Sequence, residues 1–231
     1  MALNRRALWA GLLAAPLLLA VHPALARSTQ SPRAPALPLL PETLPDVVHV
    51  DIITERGIIT VALDLKRAPV TARNFLTYTI QKRFDGMVFY RAMRLPWGDP
   101  PSGLIQAGLQ GDPRKVLPPI AHEPTSATGL SHTKGALSMA RFAPGTATAD
   151  FSIMLSDMTG LDADPSASDP ELQAGYAVFG HVVAGMEVAQ AIFDAPTSAT
   201  LGEGVMRGQM LDPQIKVLSV RQSADQPATS P

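Results

Sequence analysis

Between Val47 and Asp64 the chain is dominated by β-branched apolar residues, interrupted once by Glu55-Arg56-Gly57. That pattern predicts two strands around a turn, with Gly57 supplying the turn. From Ala68 to Arg83 the spacing changes: Val70, Asn74 or Phe75, and Tyr78 fall on one face of a helix, and Pro69 suits its first turn. A strand restarts after Asp85-Gly86. Two further strands are predicted in GALSMARF (135–142) and DFSIML (150–155), and another in YAVFGHVV (176–183). A second helix over 184–195 places Met186, Ala189 and Ile192 or Phe193 on one face. The strand QIKVLSVR (214–221) alternates Ile215 and Val217, then, after Leu218, Val220. Many short strands, two helices well apart in sequence and Gly/Pro-rich turns predict a mainly β fold, a closed antiparallel barrel capped by helices.

Before this segment the pattern is different. Residues 1–26 carry Arg5-Arg6, an apolar run from Ala7 to Val21 and the small-residue site Ala24-Leu25-Ala26, the layout of a secretory signal peptide cleaved after Ala26. The run is short for a spanning helix and contains Pro16, so no lasting membrane insertion is expected. Arg5-Arg6 completes a twin-arginine signal poorly, which favours an ordinary Sec signal. Residues 27–46 hold Pro32, Pro35, Pro38 and Pro41 at every third position, then Pro45, and read as an extended polyproline II linker. The folded domain is placed at 47–221, with a disordered tail at 222–231.

Composition narrows the function. The chain of 231 residues has a net charge of −1, and −3 without residues 1–26, which hold two Arg and no acid. No basic stripe is visible, so nucleic acid is not an expected partner. With no cysteine, disulfides, thiolate zinc sites and cysteine nucleophiles are excluded. His122-Glu123 and His132 lack the spacing of a helical zinc motif. The acidic run Asp157, Asp162, Asp164, Asp169 and Glu171 lacks the central Gly and terminal Glu of a calcium loop. Ser138, His132 and Asp150 can be imagined as a triad, but there is no Gly-x-Ser-x-Gly elbow and Ser138 reads as a strand residue. No cofactor or metal is expected.

The chemistry concentrates in VFYRAMRLPWGDPPSGLIQAG, Val88 to Gly108, where Arg91 sits in an apolar strand and Gln106 among small residues. The segments APVTARNFLTYT, FDGMVFYRAM, LIQAG, GALSMAR and YAVFGHVVAGMEVAQAI resemble, in order and approximate spacing, those of cyclophilin-type peptidyl-prolyl isomerases, most of all the bacterial exported branch. The resemblance covers essentially 47–221. It implies an eight-stranded antiparallel barrel with a helix at each end, no cofactor, and a groove for Xaa-Pro peptides. It assigns Arg91 as the catalytic Arg and Gln106 as the substrate-orienting Gln. Phe89, two positions before Arg91, is expected to line the pocket beside it. Phe151, Leu104, Leu161 and Tyr176 match pocket positions, and Met139 and Ala140 match the segment whose backbone pairs with the peptide.

Departures accompany the match. The usual Phe-His-Arg is Phe89-Tyr90-Arg91 here. The usual Gln-Phe-Phe is Asp150-Phe151-Ser152, so the pocket-floor Phe is lost. Gly160 stands where many members carry an aromatic, and with Ser152 it implies weak cyclosporin binding. The insertion at 94–103 brings Trp97, which either refills the pocket vacated at Ser152 or packs back on the barrel. Asp150 is placed to pair with Arg91 and compete with substrate. The reading is a monomeric periplasmic isomerase acting on proline-containing polypeptides. The alternative is a catalytically weak relative that serves as a chaperone or proline-peptide-binding module.

Overall fold

The computed structural model describes residues 37–98 and 101–224. The elements run β1 (Val47–Thr54), β2 (Gly57–Asp64), α1 (Pro69–Ile80), β3 (Val88–Arg94), β4 (Gly103–Gly108), α2 (Thr125–Thr128), β5 (Ala136–Met139), β6 (Phe151–Met154), α3 (Pro170–Ala174), β7 (Val178–Ala184), α4 (Met186–Phe193) and β8 (Met210–Gln222). The strands close in the order β1-β2-β7-β5-β6-β4-β3-β8, every pair antiparallel. Closure removes the exposed sheet edges that an open sheet would leave.

The barrel interior is aliphatic with an aromatic knot. In β1 and β2, Val48, Val50, Ile52, Ile59, Val61 and Leu63 alternate inward at full burial. Helix α1 sends Phe75 and Tyr78 into the core, while Val70, expected on that face, is exposed. The buried face is centred on Thr71, Phe75 and Tyr78, so Val70 falls at its edge. Helix α4 contributes Ala189, Ile192 and Phe193 as expected, with Met186 packed against them. Strand β8 starts earlier than its pattern shows, at Met210. Its change of parity at Leu218 is a bulge: Ser219 opposes Ile53 but Val217 opposes Thr54, leaving Leu218 outside the ladder and exposed.

Part of the segment read as a linker makes contacts with the folded domain. Leu40 and Leu44 pack against the core, and Gln81 Nε2 donates to Pro38 O at 3.2 Å. Leu40 and Leu44 therefore hold this segment against the barrel, offering apolar surface that a pure spacer lacks, while Leu37 and Leu39 are exposed. The signal assignment (1–26), the start of the linker and the tail beyond 224 lie outside the described residues.

One loop carboxylate organises α1. Its N-cap, Ala68, has no side-chain oxygen to offer. Glu123 replaces it from a distant loop, accepting from Val70 N (3.0 Å), Thr71 N (2.7 Å) and Thr71 Oγ1 (2.6 Å). A carboxylate there satisfies orphan N–H groups and meets the positive end of the helix dipole. Glu123→Ala should lower stability by about 1–2 kcal/mol, read from urea unfolding midpoints.

Candidate active site

Register on the outer face of four adjacent strands builds the groove. Arg91 opposes Gln106, Gln106 opposes Ser152, and Ser152 opposes Ser138. One polar row thus crosses β3, β4, β6 and β5. Beside it runs an apolar row, with Met93 opposing Leu104 and Leu104 opposing Met154. Met139, Ala140, Arg141, Leu161 and Tyr176 complete a cavity of about 210 Å³. A roomier hollow of about 400 Å³ lies against β2 and β7, but its one guanidinium, Arg67, is paired with Asp64 at 2.6 Å.

Arg91 is held from two sides. Its Nη1 donates to Gln106 Oε1 at 2.9 Å and its Nε to Gln209 Oε1 at 2.8 Å, which leaves Nη2 without a partner among the described residues. Gln209 is itself anchored through Nε2 to Val205 O at 2.8 Å. Arg91 and Gln106, 15 positions apart in sequence, are direct cross-strand neighbours. The inserted segment does not disturb them. It prolongs the β3–β4 hairpin, with Leu95 N donating to Ser102 O and Ser102 N to Trp97 O. Burial pushes the Arg91 guanidinium below the usual arginine range, yet an arginine stays charged at any physiological pH.

Of the expected residues, Arg91, Leu104, Gln106, Met139, Ala140, Ser152, Leu161 and Tyr176 line this cavity. Four others are placed elsewhere. Phe89 is fully buried in the core; a bulge between Phe89 and Arg91 breaks the alternation, so Phe89 and Ala92 face inward while Arg91 lies in the groove. Phe151 also faces inward, one residue out of phase with Ser152. Trp97 is 62% exposed and does not fill the space at Ser152. Trp97→Ala should therefore leave peptide affinity within about twofold, since surface substitutions away from contacts cost under about 0.5 kcal/mol, as isothermal titration would show.

Asp150 does not pair with Arg91. Its Oδ2 accepts from Tyr90 Oη at 2.9 Å, and its Oδ1 from Leu109 N at 2.7 Å and Gln110 N at 3.1 Å. Burial, reinforced by the charge and hydrogen bond of Asp150, pushes the Tyr90 hydroxyl well above the usual tyrosine range. Tyr90 therefore remains a neutral donor that ties β3 to the end of β4 through one carboxylate. Asp150→Ala should cost about 2–3 kcal/mol, because it strands two backbone donors and a buried phenol; thermal unfolding checks it.

Met93, Ser138, Arg141, Met154 and Gln209 also belong to the site, and the sequence reading did not assign them to it. The period of two on a strand points to Met93 from Arg91 and to Met154 from Ser152. Arg141 follows Ala140 and stacks on Tyr176, its Cζ 4.6 Å from the ring centroid. Gln209, 118 positions from Arg91, carries no local signal.

Comparison with known proteins settles the family. The sequence model described as cyclophilin type peptidyl-prolyl cis-trans isomerase matches residues 49–221. The chain belongs to the cyclophilin family. A peptidyl-prolyl cis-trans isomerase of Acinetobacter baylyi is 34% identical over 176 residues, covering 74% of this chain and 84% of that protein. Peptidyl-prolyl cis-trans isomerase B of Escherichia coli is 33% identical over 145 residues, 60% of this chain and 80% of that one. A cyclophilin type isomerase from Cryptosporidium parvum, solved in the presence of the dipeptide Ala-Pro, aligns with a TM-score of 0.58 at 20% identity, over 77% of this chain and 99% of its own. At that identity the likeness speaks for the cyclophilin barrel alone.

Proposed function

We propose that this chain is a peptidyl-prolyl cis-trans isomerase that acts on Xaa-Pro bonds of exported polypeptides after its own secretion into the periplasm. The observation that carries the enzymatic reading is the half-buried, two-point-anchored Arg91, whose Nη2 has no partner among the described residues, on the floor of a partly apolar groove. Rotation about the peptide bond costs about 18–20 kcal/mol because the C–N bond has partial double-bond character. No covalent bond breaks, so neither nucleophile nor metal is needed. Catalysis needs tighter binding of the twisted state than of either planar state.

In the twisted state the prolyl nitrogen becomes pyramidal and gains a lone pair that accepts a hydrogen bond. Arg91 Nη2 is the donor available for it. Gln106 and Gln209 fix the guanidinium plane, so no reorganisation is needed as the charge shifts. The row of Met93, Leu104 and Met154 receives the apolar proline ring beside the polar row. The residues supporting export are Arg5-Arg6, the apolar run from Ala7 to Val21 and Ala24-Leu25-Ala26.

The test is to express the full chain in a Gram-negative host, fractionate the cells and determine the N-terminus of the periplasmic form. A mature chain beginning at Arg27 that accelerates refolding of a proline-limited substrate supports the proposal. Full-length protein retained in the cytoplasm contradicts the export part. A periplasmic form without effect on the slow refolding phase contradicts the isomerase part and favours the binding module.

A further inference from the structure

The end of the polar row away from Arg91 carries a second arrangement that isomerisation does not use. Ser138 lies in the groove floor at 3% exposure. Its Oγ is 2.8 Å from His132 Nε2, and His132 Nδ1 is 2.5 Å from Asp162 Oδ1. Asp162 Oδ1 also accepts from His132 N at 3.0 Å, and its other oxygen accepts from Ser131 Oγ. His132 itself is fully buried.

The protonation pattern follows from the partners. Burial raises the Asp162 carboxyl, but hydrogen bonds from Ser131 and His132 outweigh it, and the net shift is downward. An ionised carboxylate only accepts, so His132 Nδ1 carries its proton and Nε2 is the acceptor. Burial lowers His132 despite Asp162, which keeps the imidazole neutral and its Nε2 lone pair free to accept. The Ser138 hydroxyl therefore donates to a base oriented by a carboxylate, the relation that activates serine nucleophiles on unrelated folds. Asp162, and not Asp150, completes the set.

Access comes from Ser152. It is the direct cross-strand neighbour of Ser138 and lines the same cavity, so a large ring at 152 would cover the Ser138 hydroxyl. Facing side chains on neighbouring strands are about 4.5–5.5 Å apart at Cβ, close enough for the Ser152 hydroxyl to donate to an oxygen on a carbon bonded to Ser138. Arg141, 1% exposed along its side chain, also lines the groove, and its buried Nε has no partner among the described residues. The apolar row beside Ser138 suits a short acyl chain.

We propose that Ser138, His132 and Asp162 form a nucleophilic site that accepts short acyl groups from esters. Ser138 Oγ bonds to the ester carbonyl carbon while its proton passes to His132 Nε2. The C–O bond to the alcohol breaks and the alcohol leaves with that proton. Water then attacks the acyl-serine, gives a proton to Nε2, and releases the carboxylic acid as Ser138 regains its hydrogen. Asp162 stabilises the imidazolium each time it forms. The triad shares the groove with Arg91, but its own hydrogen bonds do not involve Arg91, so it does not depend on the isomerase reading.

The experiment treats the full chain with a biotinylated alkyl fluorophosphonate, which forms an O–P bond to an activated serine as fluoride leaves. Adducts are mapped by peptide mass spectrometry, and p-nitrophenyl butyrate turnover is followed in parallel. A single adduct on Ser138, abolished by Ser138→Ala, is the expected result. Asp162→Asn should slow labelling roughly 100-fold through the misdirected base. Ser152→Phe, which leaves all three groups in place, should slow it comparably by covering the hydroxyl. Circular dichroism and unfolding midpoints establish that each variant is folded, and if Asp162→Asn is not, Ser152→Phe carries the test. No adduct on the wild type, an adduct elsewhere, or labelling of Ser152→Phe at the wild-type rate overturns the proposal and leaves His132 a structural histidine.

Discussion

Arg91→Ala should lower kcat/KM on a proline-containing peptide by about 100- to 1,000-fold, or roughly 2.7–4 kcal/mol, the range for removing one preorganised donor to a transition state. The loss should fall on kcat and kcat/KM together, because the hydrogen bond to the prolyl nitrogen exists only when the bond is twisted. Peptide affinity should change little by comparison. The magnitude rests on the anchoring: Gln106 accepts from Nη1 and Gln209 from Nε, so Nη2 is aimed before substrate arrives. Arg91→Lys keeps the charge but loses the fork, and should recover only a small part of the rate. A coupled assay with wild type and both variants side by side checks this. A drop confined to KM would mean that Arg91 merely binds.

Phe151→Ala should destabilise the fold by about 3–5 kcal/mol, as for other buried Phe truncations. Its ring meets Phe75 edge-on at 5.1 Å, Phe84 at 6.2 Å and Phe89 at 6.5 Å, where α1 enters the barrel. The cavity would open at the junction of helix and strands, and β6 is only four residues long. Native domains rest on about 5–15 kcal/mol, so the variant should unfold at markedly lower urea, with groove ligands losing affinity because Ser152 shares that strand. A cost below about 1 kcal/mol would show that the knot repacks and that Phe151 is not central to it.

The barrel was legible because its strands are short and bounded by turn residues, and because α4 shows its buried face at helical spacing. The break in alternation at Leu218 is visible in the sequence, and the ladder shows it to be a bulge. The site was less legible where local geometry departs from regular period. Reading Phe89 and Arg91 as one face fails because the ladder shifts between them, a feature no residue in VFYRAM announces. Asp150 is an expected partner of Arg91 because it stands where the resemblance puts a neutral amide near that arginine. In the fold Leu109 and Gln110 present unpaired N–H groups on the other side, and the carboxylate goes to them. Trp97 was ambiguous because composition does not say which way a hairpin tip points. Gln209 and Asp162 reach their partners from far along the chain, so their roles depend on closure of the barrel rather than on any motif.

The central claim is that the Arg91 groove twists Xaa-Pro bonds without covalent chemistry. The most direct measurement is exchange NMR on a short Xaa-Pro peptide, whose cis and trans resonances are separate because uncatalysed exchange takes tens to hundreds of seconds. Catalytic amounts of the wild-type protein should produce cis–trans exchange cross-peaks, with the peptide chemically unchanged, and Arg91→Ala at equal concentration should not. Cross-peaks of equal intensity with the two proteins, or none with the wild type, would contradict the account.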